Sequence, residues 1–233
     1  MKRFATIGLL VLLSLAITSR AHGLAIMMLD DTLGNTITID NNGVIVTTGT
    51  VTTNMSNTAT SGKITWDGTV GTNWIVNVTT GLTKPLSGTA TDVHMDLNSV
   101  NRSSGAGTLI IKWSDTDFGP TPGGQFNDGI GGTTVGTVTA TELYDANNVA
   151  FAGVNIATLG PFGPGSFSGS LVTAPQAGLF PYSITQVVQI THSAAGNTSF
   201  NYAKDTAVPE PATLLLLGSG FVGFVYLRRR RRG

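Results

Sequence analysis

The sequence predicts an all-β protein, a single β-sandwich of jelly-roll or Greek-key type, on three observations. No stretch of ten or more residues between Leu24 and Ala207 shows helical periodicity. Short segments rich in β-branched and aromatic residues recur along that stretch, bordered by turn chemistry. Several alternate with period two: Trp74, Val76 and Val78 against Asn73, Asn77 and Thr79, and Leu109, Ile111 and Trp113 against Thr108 and Lys112. Such alternation gives a strand one core face and one wet face.

The strands expected on these grounds are Thr36 to Ile39, Gly43 to Thr48, Lys63 to Trp66, Thr72 to Thr79, Asp92 to Leu97, Thr108 to Trp113, Thr133 to Thr141, Val149 to Ile156, Phe167 to Val172 and Tyr182 to Thr191. Asp40-Asn41-Asn42-Gly43 and Asp67-Gly68 carry hairpin chemistry, because these residues accept left-handed backbone cheaply. Gly119 to Gly132 and Gly160 to Gly165 are rich in Gly and Pro and read as loops. The sandwich is expected over residues 24–192, with a linker over 193–207.

Both ends of the 233-residue chain read as targeting segments. Lys2 and Arg3 precede the apolar run Ile7 to Ile17, and small residues follow at Ser19, Ala21 and Gly23. Residues 1–23 are therefore expected to be a secretory signal peptide, cut after Ala21 or after Gly23. At the other end come Val208, Pro209, Glu210 and Pro211, then 16 uncharged positions from Ala212 to Leu227, then Arg228, Arg229, Arg230, Arg231 and Arg232. As a helix the uncharged run would be about 24 Å long, slightly short of a bilayer core of about 30 Å, a mismatch that thinning or arginine snorkelling absorbs. The arginines act as a stop-transfer signal and stay cytoplasmic. Pro209 and Pro211 hold Glu210 extended, where a processing enzyme can reach it.

In that order, Val208-Pro209-Glu210-Pro211, one hydrophobic span and a terminal Arg cluster resemble the PEP-CTERM sorting signal of Gram-negative bacteria. The resemblance implies an exosortase-type enzyme as partner. It further implies transient inner-membrane anchoring through residues 212–227, removal of the tail, and delivery to the cell surface or exopolysaccharide matrix. The segments Asn73 to Gly81, Asp96 to Val100, Gly107 to Ile111 and Trp113 to Phe118 are also similar to a body found in other PEP-CTERM proteins of unassigned function. Inside the span, Gly218-Ser219-Gly220-Phe221-Val222-Gly223 matches a dinucleotide fingerprint by letter, but no βαβ unit or acidic partner accompanies it. Close helix packing explains those small residues.

With the ends set aside, Lys63, Lys84, Arg102, Lys112 and Lys204 face twelve acids, a balance of −7 that disfavours nucleic acid as a partner. The chain has no cysteine, which excludes disulfides and thiol chemistry. Asp92, His94 and Asp96 would share a strand face and could hold a divalent metal. The same alternation also has Val93, Met95 and Leu97 filling the core while the polar residues meet water. Asp115 and Asp117 precede the Gly-rich stretch, Asp128 lies within it, and together they offer oxygens of the kind Ca²⁺ takes, although no calcium-loop pattern frames them. Turn aspartates facing solvent fit as well, and no metal or cofactor is assigned.

Catalysis finds little support. No G-x-S-x-G elbow accompanies His94 or His192, and Glu142 is the only glutamate of the body where a glycosidase needs two placed carboxyls. The expectation is a non-enzymatic structural or adhesive surface or matrix protein. The alternative is a carbohydrate-binding module that stacks exopolysaccharide on an exposed Trp66, Trp74 or Trp113. Trp74 and Trp113 fall on apolar strand faces, which favours core packing for them.

Overall fold

The computed structural model describes residues 23–58, 60–176 and 180–207. The expected signal peptide up to residue 22, the motif 208–211, the span 212–227 and the arginines 228–232 lie outside the described residues. Among the described residues no helix is long and apolar enough to cross a membrane.

Fourteen strands follow in order: β1 Ile26–Asp30, β2 Thr36–Asp40, β3 Ile45–Thr48, β4 Val51–Asn57, β5 Lys63–Val70, β6 Trp74–Leu82 and β7 His94–Ser103; then β8 Gly107–Phe118, β9 Phe126–Thr134, β10 Thr137–Asp145, β11 Val154–Phe162, β12 Gly165–Val172, β13 Tyr182–His192 and β14 Gly196–Thr206. They form two seven-stranded sheets, β11-β10-β13-β8-β1-β2-β3 and β12-β9-β14-β7-β6-β5-β4. Every pairing between these strands is antiparallel. From β7 onward the pairs are nested: β10 with β11, β9 with β12, β8 with β13, β7 with β14. That nesting is the jelly roll, two Greek keys wound through two facing sheets. The chain before β7 widens both sheets, β1–β3 beside β8 and β4–β6 beside β7.

Alternation decides the core. Leu109, Ile111 and Trp113 of β8 and Val188 and Ile190 of β13 are fully buried, facing Trp66, Trp74, Val76 and Leu97 of the other sheet. Each tryptophan buries on the order of 200 Å², roughly 5 kcal/mol of apolar transfer before ordering entropy is subtracted. Trp113 Nε1 donates to Leu82 O at 3.1 Å and Trp66 Nε1 to Thr53 Oγ1 at 3.1 Å, so neither indole leaves a buried donor unpaired. Gly81 makes room for the Trp113 ring: a Cβ there would sit 2.6 Å from Trp113 Cε2.

Several boundaries differ from the sequence reading. The expected linker 193–207 is mostly β14, a central strand between β7 and β9. Its inward set Thr198, Phe200, Tyr202, Lys204 and Thr206 mixes polar with apolar residues, which hides the alternation. The expected loop Gly119 to Gly132 contains most of β9, where Gly131 and Gly132 lie between two paired strands; a Cβ on Gly132 would be 2.9 Å from Phe200 Cα. Thr133 to Thr141 is two strands, because the chain turns at Val135-Gly136 and crosses from one sheet to the other. β11 begins only at Val154, after turns at residues 146–147 and 150–151, and β1 and β4 carried too little pattern to be anticipated.

Candidate functional site

The strand period aims three charged residues between the sheets. Glu142 is in phase with Val138, Ala140 and Tyr144 on β10, Lys204 with Phe200 and Tyr202 on β14, and Asp128 with Phe126 and Ile130 on β9. Glu142, Lys204 and Asp128 are each 0% exposed. Lys204 Nζ donates to Glu142 Oε1 across the sheet gap and lies 3.7 Å from Asp128 Oδ1 on the neighbouring strand. It also sits 3.8 Å from the centre of the Phe126 ring, a cation–π contact. Tyr202 Oη donates to Asp128 Oδ1 at 3.3 Å. Asp128 Oδ2 and Glu142 Oε2 have no hydrogen-bond partner among the described residues.

Two carboxylates and one ammonium would leave a net buried negative charge, which is costly. Burial accordingly pushes the Glu142 carboxyl well above its ordinary value; the Lys204 charge opposes the shift and Asp128 adds to it. With Glu142 protonated the cluster is neutral. Burial also raises the Tyr202 hydroxyl, helped by both carboxyls, so it remains a donor.

A second buried pair lies elsewhere between the sheets. Lys84 Nζ is 2.8 Å from Asp115 Oδ2, with side chains 8% and 0% exposed. Asp115 also accepts from Thr83 Oγ1 at 2.7 Å and from its neighbour's amide, Thr116 N, at 2.8 Å. Burial raises Asp115, and Lys84 and these donors hold it back; burial lowers Lys84. A third polar feature is uncharged. Ser103 Oγ meets His192 Nδ1 at 2.7 Å, and His192 Nε2 meets Thr198 Oγ1 at 2.7 Å. Ser103 is 0% and His192 2% exposed, with Trp74 5.1 Å from the imidazole. Both contacts are sealed between the sheets, with His192 held by the two hydroxyls of Ser103 and Thr198, so they are part of the core.

The sequence candidates for metal ligation are dispersed. His94 Nδ1 lies 2.5 Å from Asp205 Oδ1 and His94 Nε2 3.5 Å from Asp92 Oδ2 on the surface. Asp96 turns to Asn98, whose Nδ2 donates to it at 3.0 Å. Asp205, the nearer partner of His94, was hidden in the expected linker. Asp117 exchanges hydrogen bonds with Asn148 at 2.6 and 2.8 Å, Asp115 takes Lys84, and Asp128 joins the Lys204 cluster. Among the described residues no group of three or more His, Asp or Glu has metal-binding geometry. Trp66, Trp74 and Trp113 are 0%, 1% and 0% exposed, so none can serve as an open sugar platform. A cleft of about 340 Å³ does open at one end of the sandwich, lined by Thr121, Phe126, Tyr144, Gln176, Phe180 and Tyr182 among others.

The burial and pairing of Glu142, Lys204 and Lys84 were not anticipated from the sequence, although for Glu142, flanked by Ala140 and Tyr144 on one strand face, a signal existed. A charged residue in phase with the apolar side of a strand is either buried with a partner or breaks the strand, and that strand is not broken.

The molecule is thus an all-β jelly roll with charges buried between its sheets, one of which, Lys204, lies on the last strand before a C-terminal sorting signal. Residues 207–232 match the PEP-CTERM protein-sorting motif, which marks the chain as an exported substrate of the exosortase route, with a membrane-anchoring signal before processing. No curated protein matches the chain. Among solved structures it is similar to the enzymatically active domain of bacteriophage CBA120 tailspike protein 4, at 16% identity and TM-score 0.34 over 56% of this chain and 19% of that one. It is also similar to TmCBM61 in complex with β-1,4-galactotriose, at 9% identity and TM-score 0.29 over 58% of this chain and 86% of that one. A carbohydrate-binding module of the β-sandwich superfamily aligns at 12% identity and TM-score 0.32 over 80% of this chain and 85% of that one. At these scores the fold assignment rests on the strand order itself.

Proposed function

We propose that the protein is a non-enzymatic structural component of the cell surface or extracellular matrix, released there after its C-terminal tail is removed. The observation that carries this reading is the composition of the sheet edges. The edge strands are β3 and β11 in one sheet and β4 and β12 in the other, and none contains Asp, Glu, Lys or Arg. Soluble proteins guard such edges with charge, proline or bulges. β11 has Pro161 and register shifts, and β4 has a register shift at Thr53/Met55, but β3 and β12 have none of these guards. Val46 on β3 is 59% exposed and Val172 on β12 is 57% exposed. Open, uncharged edges suit a protein that pairs with further copies in a matrix. Sedimentation of the mature exported protein should show concentration-dependent association, reduced by Val46→Lys and Ser168→Lys with unchanged circular dichroism. A monomer at every concentration would overturn the reading.

The alternative is binding of exopolysaccharide, and the cleft beside Phe180 favours it, since Phe180 is 56% exposed next to the Tyr144 and Tyr182 rings. Titration with the host polysaccharide separates the two: saturable heat abolished by Phe180→Ala supports binding, and no heat leaves the structural role alone.

A further inference from the structure

The geometry points to an intramolecular amide bond between Lys204 Nζ and Asp128 Cγ, formed within the folded protein with Glu142 as the proton-transferring group. Lys204 and Asp128 are direct partners in the β14–β9 ladder, so their side chains rise from the same face of one sheet. Glu142 reaches them from the opposite sheet and accepts a hydrogen bond from Nζ. All three are 0% exposed and packed around Phe126 and Tyr202. Nζ lies 3.7 Å from Asp128 Oδ1, outside hydrogen-bond length, while its hydrogen bond goes to Glu142. That division assigns Asp128 as electrophile and Glu142 as proton carrier. The second oxygens of both carboxyls lack a partner among the described residues, and a proton moving between them satisfies each in turn.

The step balances without any further reagent. A proton leaves the Lys204 ammonium and, through Glu142, reaches the Asp128 carboxyl, so that a neutral amine faces a neutral acid. Nζ attacks Cγ, the new C–N bond forms, and one Cγ–O bond breaks. Glu142 takes the second proton from nitrogen and delivers it to the departing hydroxyl. One water leaves, Glu142 ends in its starting state, and no atom changes oxidation state. Burial disfavours the separated charges and so favours the neutral reactants, and fixed proximity supplies the effective concentration.

The second buried pair is an internal control. Lys84 and Asp115 are closer than Lys204 and Asp128, and Lys84 likewise sits over a ring, 3.7 Å from the centre of Phe118. Asp115, however, accepts from Lys84, Thr83 and Thr116, so its oxygens are already engaged, and no second carboxyl receives a hydrogen bond from Lys84 Nζ among the described residues. That pair stays an ion pair. The placement of the link has a use in an exported protein with no cysteine. Lys204 lies just ahead of the sorting motif that begins at residue 207, so pull on the tail would meet a covalent tie to β9 before it could peel β14 from the sheet.

The test is peptide mapping of the folded full chain by mass spectrometry after cleavage at acidic residues. Cleavage at Asp145 places Asp128 and Lys204 on different peptides. The expected result is a joined pair lighter than its two parts by one water, with Lys84 and Asp115 unjoined. Glu142→Gln should lower the joined fraction at least tenfold, and Asp128→Asn should join with loss of ammonia in place of water, a change that an ion pair does not produce. An unjoined wild type overturns the proposal whether or not either variant folds. So does a link from Lys204 to Glu142, or a folded Glu142→Gln variant that joins as fully as the wild type.

Discussion

Lys84 and Asp115 form an ion pair sealed between the sheets, with Nζ 2.8 Å from Oδ2 and the carboxylate 0% exposed. Lys84 follows the end of β6 and Asp115 lies near the end of β8, so the pair ties the two sheets together beside Phe118. The beginning of the body is fastened close by, where Leu24 N donates to Thr116 Oγ1 at 2.9 Å.

Replacing one member of this pair leaves the other charge buried. Lys84→Met should lower unfolding stability by about 3–5 kcal/mol. The double change Lys84→Met with Asp115→Leu should recover most of that loss, since an apolar pair of similar volume fills the space without desolvation cost. Urea unfolding of the three proteins measures both effects; equal stability of single and double variants would contradict it.

His192 makes stability depend on pH. Burial lowers its pKa below 6.5, and its neighbours Ser103, Thr198 and Trp74 carry no charge to offset this. The unfolded chain therefore binds the proton first, and its contribution to stability is complete above pH 6.5 and lost as pH falls below that value. Denaturation midpoints compared between wild type and His192→Gln from pH 8 to pH 5 should converge as the pH drops. A gap that is constant with pH would sink the prediction.

Gly81 has a packing role that the sequence does not announce. A side chain there would press on the Trp113 ring, so Gly81→Val should cost about 1–3 kcal/mol through overpacking. The near-ultraviolet dichroism of Trp113 should change with it, whereas Gly129→Ala, with no atom near its Cβ position, should leave the spectrum alone.

Residues 207–232 match the PEP-CTERM sorting motif, which implies processing there. Glu210→Ala should leave the tail uncut, and reversing the charge of Arg228 to Arg232 should impair retention in the membrane during processing. Mass spectrometry of C-terminal peptides from extracellular material checks this. Recovery of peptides containing Phe221 to Leu227 from fully exported wild-type protein would reduce the signal to a plain anchor.

Much of the fold could be read from short-range pattern. The stretch Leu109, Ile111 and Trp113 of β8 and the start of β6 at Trp74 and Val76 were legible from alternation; past the register shift between Val76 and Val78, Thr79, expected on the wet face, is buried and Val78 is only half-buried. β14 was not legible, because Thr198 and Lys204 occupy inward positions beside Phe200 and Tyr202. β9 was obscured by Gly129, Gly131 and Gly132, residues that signal turns in isolation but here stand between two paired strands. A related limit holds for the metal candidates: Asp92, His94 and Asp96 are near one another in sequence, but the closest partner of His94 is Asp205, from a strand far along the chain.

The sequence by itself determined the class of the body and the address of the protein, because both are written in neighbouring residues. Period two needs only the next few side chains, and a sorting signal must be readable as a linear segment. The tertiary structure alone decided which charges meet. Lys204 and Glu142 are 62 residues apart and come from opposite sheets, while Lys204 and Asp128 become neighbours only when β14 inserts between β7 and β9. Long-range strand order is set by how two whole sheets close over a common core. No local pattern records it, and with it came a place where an amine and two carboxyls are held together away from water.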